Sequence, residues 1–96
     1  MMTIEEILAN DSTFRYQLLS RMQSDCEYFF GYGNRNESQL WAGGFGKQVS
    51  HMKAIWNSFA DDQKPEWLSY EKIMGYEWLF YDEVIEYAMQ TQGHYE

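Results

Sequence analysis

Residues 25–43 read Asp-Cys-Glu-Tyr-Phe-Phe-Gly-Tyr-Gly-Asn-Arg-Asn-Glu-Ser-Gln-Leu-Trp-Ala-Gly, and no other stretch narrows the possible folds as far. An aromatic run with helical spacing meets Gly31 and Gly33 and turns into a polar loop, Asn34-Arg35-Asn36; apolar character returns at Leu40-Trp41. Glycine accepts the left-handed backbone that ends helices. Asn34 and Asn36 can bond nearby backbone groups and hold a loop. The stretch is therefore expected to be a corner that locks two helices together, with Gly31, Gly33, Asn34, Arg35, Asn36 and Trp41 as its structural residues. Arg35 brings five donors and no acceptor. It calls for a carboxylate, Asp25 or Glu27, or for backbone carbonyls across the corner. Trp41 is expected to plug the core.

On either side of the corner the spacing is helical. Thr3-Ile-Glu-Glu6 has the form of a capping box and opens a short helix carrying Ile4, Ile7 and Leu8. Asn10-Asp11-Ser12 is cap or turn chemistry and breaks it. A longer helix is expected from about Thr13 to Phe30, with Phe14, Leu18, Met22, Cys26 and Phe29 or Phe30 as one apolar face. Cys26 lies in that face with no His or Lys beside it in sequence, which reads as a buried, inert thiol. After the corner, Ala42-Gly-Gly-Phe-Gly-Lys47 fails as a phosphate-binding loop. The positions where a P-loop needs its first glycine and its hydroxyl are Trp41 and Gln48. The run reads as a flexible lead-in to a third helix, roughly Gly46 to Phe59, with Val49, Met52, Ile55 or Trp56, and Phe59 as its stripe and His51 at the boundary. Asp61-Asp-Gln-Lys-Pro65 is a linker, since proline disfavours helix at the residue before it. Trp67 and Leu68 are expected to fold back on the core. Ser69 caps a last helix, Tyr70 to about Gln90. Gly75 weakens that helix by roughly 1 kcal/mol and so calls for a reason such as close packing.

A chain of 96 residues is expected to form a single helical domain over 1–96, an all-α bundle of about four helices ending in a long acidic, aromatic helix at about 70–90. It carries 15 acidic and 7 basic residues, and the excess is uneven. Residues 1–60 hold 6 acidic and 5 basic side chains; residues 61–96 hold 9 and 2, a net of -7. Asp82, Glu83 and Glu86 lie at three- and four-residue spacing on one side of the last helix. They sit toward its C-terminus, where the helix dipole disfavours anions. Helix stability alone does not select that arrangement. It is either a solvated acidic face or a surface shaped for a basic partner. The same helix carries Tyr76, Trp78, Leu79, Phe80, Tyr81, Val84, Ile85, Tyr87 and Ala88, more than one face can hold. Either it is buried on several faces or some aromatics are exposed beside the acids. Aromatics dominate interface hot spots, so the partner-binding candidates are Asp82, Glu83, Glu86, Glu77, Asp61, Asp62, Trp78 and Tyr81. Homodimerisation through this helix fits the same pattern.

Catalytic chemistry is not visible. There are two histidines, His51 and His94, and one cysteine; no His-x-x-x-His or Cys-x-x-Cys pattern occurs. No serine, cysteine or histidine has the setting of an activated nucleophile. Asp61-Asp62 and Asp82-Glu83 lack the spacing of a calcium loop. A non-enzyme without cofactor or metal is expected. The acidity argues against direct nucleic-acid binding, which needs a basic face. Contact through Arg15, Arg21, Arg35, Lys47 and Lys53 would require these to share one side. A single cysteine, no basic-then-apolar leader at Met1-Met2 and no apolar run near 20 residues lead to the expectation of a cytoplasmic protein away from membranes.

Tyr16-Gln-Leu-Leu-Ser-Arg-Met-Gln-Ser-Asp-Cys26, Glu27-Tyr-Phe-Phe-Gly-Tyr-Gly-Asn-Arg-Asn36, Leu40-Trp-Ala-Gly43 and Lys64-Pro-Glu-Trp-Leu-Ser69 together resemble the eleventh of the large polyvalent protein-associated domain families, over about residues 12–75. The resemblance implies a domain carried by phages and conjugative elements, alone or joined to DNA-processing enzymes. Such proteins are thought to enter the recipient cell with the element's DNA and protect or establish it. The family assigns no catalytic residues. The Gly43–Gly46 run and the helix after Gly75 fall outside the match. The expectation is a small mobile-element accessory protein that binds another protein. In one form its acidic helix imitates nucleic acid and inhibits a host DNA-targeting defence enzyme, such as a CRISPR effector or a restriction enzyme. In another it is a non-catalytic structural or dimerisation module of the element's own proteins.

Overall fold

The computed structural model describes residues 2–31 and 36–93, and in the last helix the side chains through Asp82. Gly33, Asn34, Arg35 and the side chains of Glu83 and Glu86 lie outside the described residues. Among those described, the chain is all-α: α1 (Ile4–Leu8), α2 (Ser12–Gly31), α3 (Phe45–Asn57) and α4 (Tyr70–Gly93), with 3₁₀ turns at Glu37–Gln39 and Asp61–Gln63. No strand occurs among them.

Local chemistry sets the helix ends. Both bonds of the capping box form: the Thr3 hydroxyl accepts from the Glu6 amide at 3.2 Å and the Thr3 amide donates to the Glu6 carboxylate at 3.1 Å. The Thr3 amide, and then the Thr3 hydroxyl, hold the Glu6 carboxyl below its ordinary value. Asn10 donates from its amide to the Glu6 carbonyl at 2.8 Å, satisfying the end of α1. Asp11 then caps α2, its carboxylate accepting from the Phe14 amide at 2.8 Å. The Ser69 hydroxyl accepts from the Lys72 amide at 3.1 Å and caps α4.

α3 is the hub, packed on α1, α2 and α4. Its stripe, Val49, Met52 and Ile55, is buried; α3 ends at Asn57, before the expected Phe59, which is buried beyond the helix end, and Leu18, Met22, Cys26 and Phe29 are buried on α2. The α2 face is wider than the spacing indicates, because Leu19 is also fully buried. Phe29 and Phe30 are both used. Phe29 is core, and Phe30 packs at its edge, 5.5 Å from Phe45 and stacked 6.4 Å from Tyr76. Cys26 faces Met52 at 3.7 Å, and burial pushes its thiol up to about 12.

Contacts fix the direction of α4. Trp56 meets Tyr70, with ring centres 5.3 Å apart, Lys53 pairs with Glu77 at 2.9 Å, and Phe45 stacks on Phe80 at 4.4 Å. Numbers fall along α3 as they rise along α4, so the two helices are antiparallel. On the α2 side, Tyr76 donates its hydroxyl to Glu27 at 3.0 Å and Phe29 lies 6.1 Å from Phe80. The end of α2 and the start of α3 thus both lie level with Phe80. α4 continues as helix to Gly93, roughly 20 Å further at 1.5 Å per residue. The long axis is accordingly 54 Å and the radius of gyration 15.3 Å, against about 12.5 Å for a compact chain of this length.

Several sequence expectations are corrected. Trp67 is exposed, at 44%. Trp67 only edges toward Tyr16, ring centres 6.3 Å apart, while Leu68 alone enters the core. Trp41 is half-buried against the cluster, and its neighbour Leu40 is the buried plug. The glycine run is a pinned turn rather than a flexible lead-in. Gly43 takes φ 82°, its amide bonds the Leu40 carbonyl at 3.0 Å, and α3 starts one residue early on a buried Phe45. Gly75 has no close neighbour: a methyl group there meets nothing within 4 Å.

Candidate functional site

The corner between α2 and α3 is built from three side chains that face it. Asp25 accepts from the Trp41 amide at 3.0 Å, and Glu37 accepts from the Phe45 amide at 2.9 Å, closing the N-terminus of α3 with a negative charge. Gln48 is completely buried; it accepts from the Ala42 amide at 2.9 Å and donates to the Met22 carbonyl at 3.2 Å. Asn36 accepts from the Ser38 amide at 3.1 Å and starts the 3₁₀ turn. Gly31 is exposed at the end of α2, with open space beside it. Neither carboxylate that the sequence offers to Arg35 is idle. Asp25 also lies 3.8 Å from Arg21, and Glu27 holds Tyr76 and, at 4.0 Å, Lys72. Glu37 and Gln48 were missed by sequence reasoning. The available signal is that Gln48 stands four residues before Met52 and seven before Ile55, on the core stripe, where an amide must find partners.

α4 divides into two faces. Ile73 and Tyr76 are buried and Phe80 is packed against the core. Burial and then the Glu27 carboxylate push the Tyr76 hydroxyl pKa up. Exposed outside that core face are Met74, Trp78, Leu79 and Tyr81, at 38%, 65%, 51% and 49%. Of the two arrangements open from the sequence, the described part of α4 exposes its aromatics. Met74, Trp78 and Tyr81 follow at four and three residues, so they form one stripe. Asp82, also exposed, stands four residues after Trp78. Glu77, Trp78, Tyr81 and Asp82 line a groove of about 460 Å³. On its inner side Glu77 reaches across to Lys53, and the Tyr81 hydroxyl lies over Gly46 of α3.

The remaining candidates are dispersed. Asp61 and Asp62 are exposed on their 3₁₀ turn, and Asp61 lies 3.6 Å from Lys64, which sits over the Trp56 ring at 4.7 Å. That places them near Tyr70, about 18 Å along α4 from Asp82. The cations are dispersed too. Arg15 donates to the Ser58 hydroxyl at 2.6 Å and lies over Phe59, whereas Lys53 is on Glu77. No group of three or more His, Cys, Asp or Glu is placed to hold a metal among the described residues, and no helix among them is long and apolar enough to cross a membrane.

The family model described as Large polyvalent protein-associated domain 11 matches residues 12–80. The match is wider than the motif resemblance: it runs through the Gly43–Gly46 turn and ends at Phe80, the residue stacked on the start of α3. Trp78 is inside it; Tyr81, Asp82 and the remainder of α4 are beyond it. No curated protein and no solved structure matches this chain.

Proposed function

This chain belongs to the Large polyvalent protein-associated domain 11 family, and on that premise we propose that it is a mobile-element accessory protein that works by binding another protein through α4. The observation that carries the reading is the exposure of Trp78, Leu79 and Tyr81, with Asp82, outside the core face of α4. Large aromatics left in water cost free energy that a partner surface recovers. The chain performs no chemistry of its own in this reading, and it acts in the cytoplasm of the host cell.

The sharper form of the proposal concerns charge. Residues 61–96 carry 9 acidic and 2 basic side chains. Both of those lysines are engaged: Lys64 with Asp61 and Trp56, Lys72 beside Glu27. The acidic half then occupies the basic, DNA-binding groove of a host defence enzyme of the CRISPR-effector or restriction class. Asp82, Glu83 and Glu86 supply the charge and the aromatics supply the anchor. Glu77 contributes less, because Lys53 already neutralises it. The second reading, a structural module docking to its element's own proteins, is favoured by the 65% exposure of Trp78.

Capture from a lysate of host cells that carry the element, on the purified chain and washed at low and then high salt, separates them. Charge-led binding releases its partner as salt screens it, whereas apolar docking is retained. Reversing Asp82, Glu83 and Glu86 to Lys abolishes capture under the first reading while the helical circular dichroism signal persists. Capture that survives the reversal eliminates nucleic-acid imitation.

A further inference from the structure

Among the described residues, the groove on α4 brings two aromatic side chains and two carboxylates around one space of about 460 Å³. Trp78 and Tyr81 are about half exposed or more, so ring surface is open to an incoming group. Ring faces carry partial negative charge and attract cations. Among the described residues Asp82 has no ion-pair partner. Glu77 gives Oε1 to Lys53 at 2.9 Å, so the inner wall already holds one ammonium group.

We propose that this groove is a seat for one arginine side chain of the protein partner, its guanidinium against Trp78 and Tyr81 and forked onto Asp82. This rests on the protein-binding reading above and names the chemistry recognised. Arginine fits better than lysine for two physical reasons. A planar guanidinium stacks on an aromatic ring and sheds water more readily than an ammonium group. Its parallel N–H donors match a carboxylate. The chain places both kinds of cation on its own rings, Arg15 4.9 Å from the Phe59 centre and Lys64 4.7 Å from that of Trp56, so the choice of arginine rests on the fork to Asp82 and on hydration. A second copy of the chain is the poorer occupant. It would bring another half with a net of -7 against this one, and like charges brought together across an interface are unfavourable.

The test is a titration of the full ¹⁵N-labelled chain, followed at its four tryptophan indole N–H resonances. The Trp78 resonance is identified by its loss in Trp78→Phe. The probe is a capped Gly-Arg-Gly peptide, with Gly-Lys-Gly as its equal-charge twin. The expected result is a saturable shift at the Trp78 indole, with Trp41, Trp56 and Trp67 unmoved. The lysine twin binds at least threefold more weakly, and Asp82→Asn weakens the arginine peptide at least threefold. A silent Trp78, equal binding of the twin, or an unchanged constant in Asp82→Asn overturns the seat. If lysate capture succeeds while Trp78 stays silent, the seat is wrong and the protein-binding reading stands. If Trp78 titrates as expected and no partner is captured, the seat stands and that reading fails.

Discussion

Gln48→Met removes the centre of the corner while keeping its shape. Methionine matches glutamine in length and fills the same space, so no cavity term enters. The Ala42 amide then loses its acceptor at 2.9 Å in a buried site. A buried donor left unsatisfied costs about 1–3 kcal/mol. The Met22 carbonyl loses the Gln48 donor at 3.2 Å, but it lies inside α2 and is in line for the bond from Cys26 four residues on. Losing one of two donors there costs about 0.5–1 kcal/mol, and the gain from burying a thioether instead of an amide offsets part of this. The net is a loss of about 2 kcal/mol. A chain of this length holds on the order of 5–14 kcal/mol in total. At about 4–8 °C per kcal/mol, the thermal midpoint drops by about 8–16 °C. Urea unfolding followed by circular dichroism at 222 nm measures the loss, with the slope unchanged because the exposed surface is the same. A loss below about 0.5 kcal/mol refutes the reasoning: packing alone would then hold α2 to α3, and the two bonds would contribute nothing net. Gln48→Glu serves as a companion. At neutral pH it sets an anion against the Met22 carbonyl and costs more than Met; when protonated at low pH it can donate again, so the gap narrows.

Gly75→Ala is expected to stabilise the chain by about 1 kcal/mol, since open space surrounds the position and its φ is ordinary; a lower thermal midpoint would mean that α4 needs the glycine. Cys26, buried with its thiol pushed up to about 12, is expected not to react with Ellman's reagent at pH 8 until urea unfolds the chain, and stoichiometric reaction in the folded state would contradict that burial. His51 is 8% exposed, and its Nε2 is buried without a partner. Burial and then Lys47 lower its pKa from 6.5. The folded state therefore prefers the neutral ring. Its contribution is complete above pH 6.5 and is lost as pH falls from there through the folded value. His51→Gln flattens that part of the stability profile measured by urea melts between pH 7 and pH 5; an unchanged slope assigns the dependence to other groups.

What depends on near neighbours can be read from the amino-acid order. Helix ends follow from side chains within four residues: Thr3 with Glu6, Asp11 with Phe14, Ser69 with Lys72. Stripes on α2 and α3 follow from the helical repeat, and the concentration of acid in the last third is a matter of composition. The family too was legible, because its motifs are local strings. Which apolar side chains have something opposite them depends on how the helices pack. Three tryptophans of similar sequence setting end differently: Trp41 half-buried, Trp67 at 44% and Trp78 at 65%. Each can serve as core or surface, and the choice lies with helices far away in sequence. The same holds for Gln48, whose donor reaches Met22 26 residues back, and for Glu77, taken up by Lys53 24 residues earlier. Gly75 makes the point in reverse, as a helix-weakening residue for which no neighbour gives a reason. Backbone preference is settled over a turn of helix, whereas burial and pairing are settled only when faces meet, and the groove on α4 exists because α2 and α3 cover one of its sides and leave the other in water.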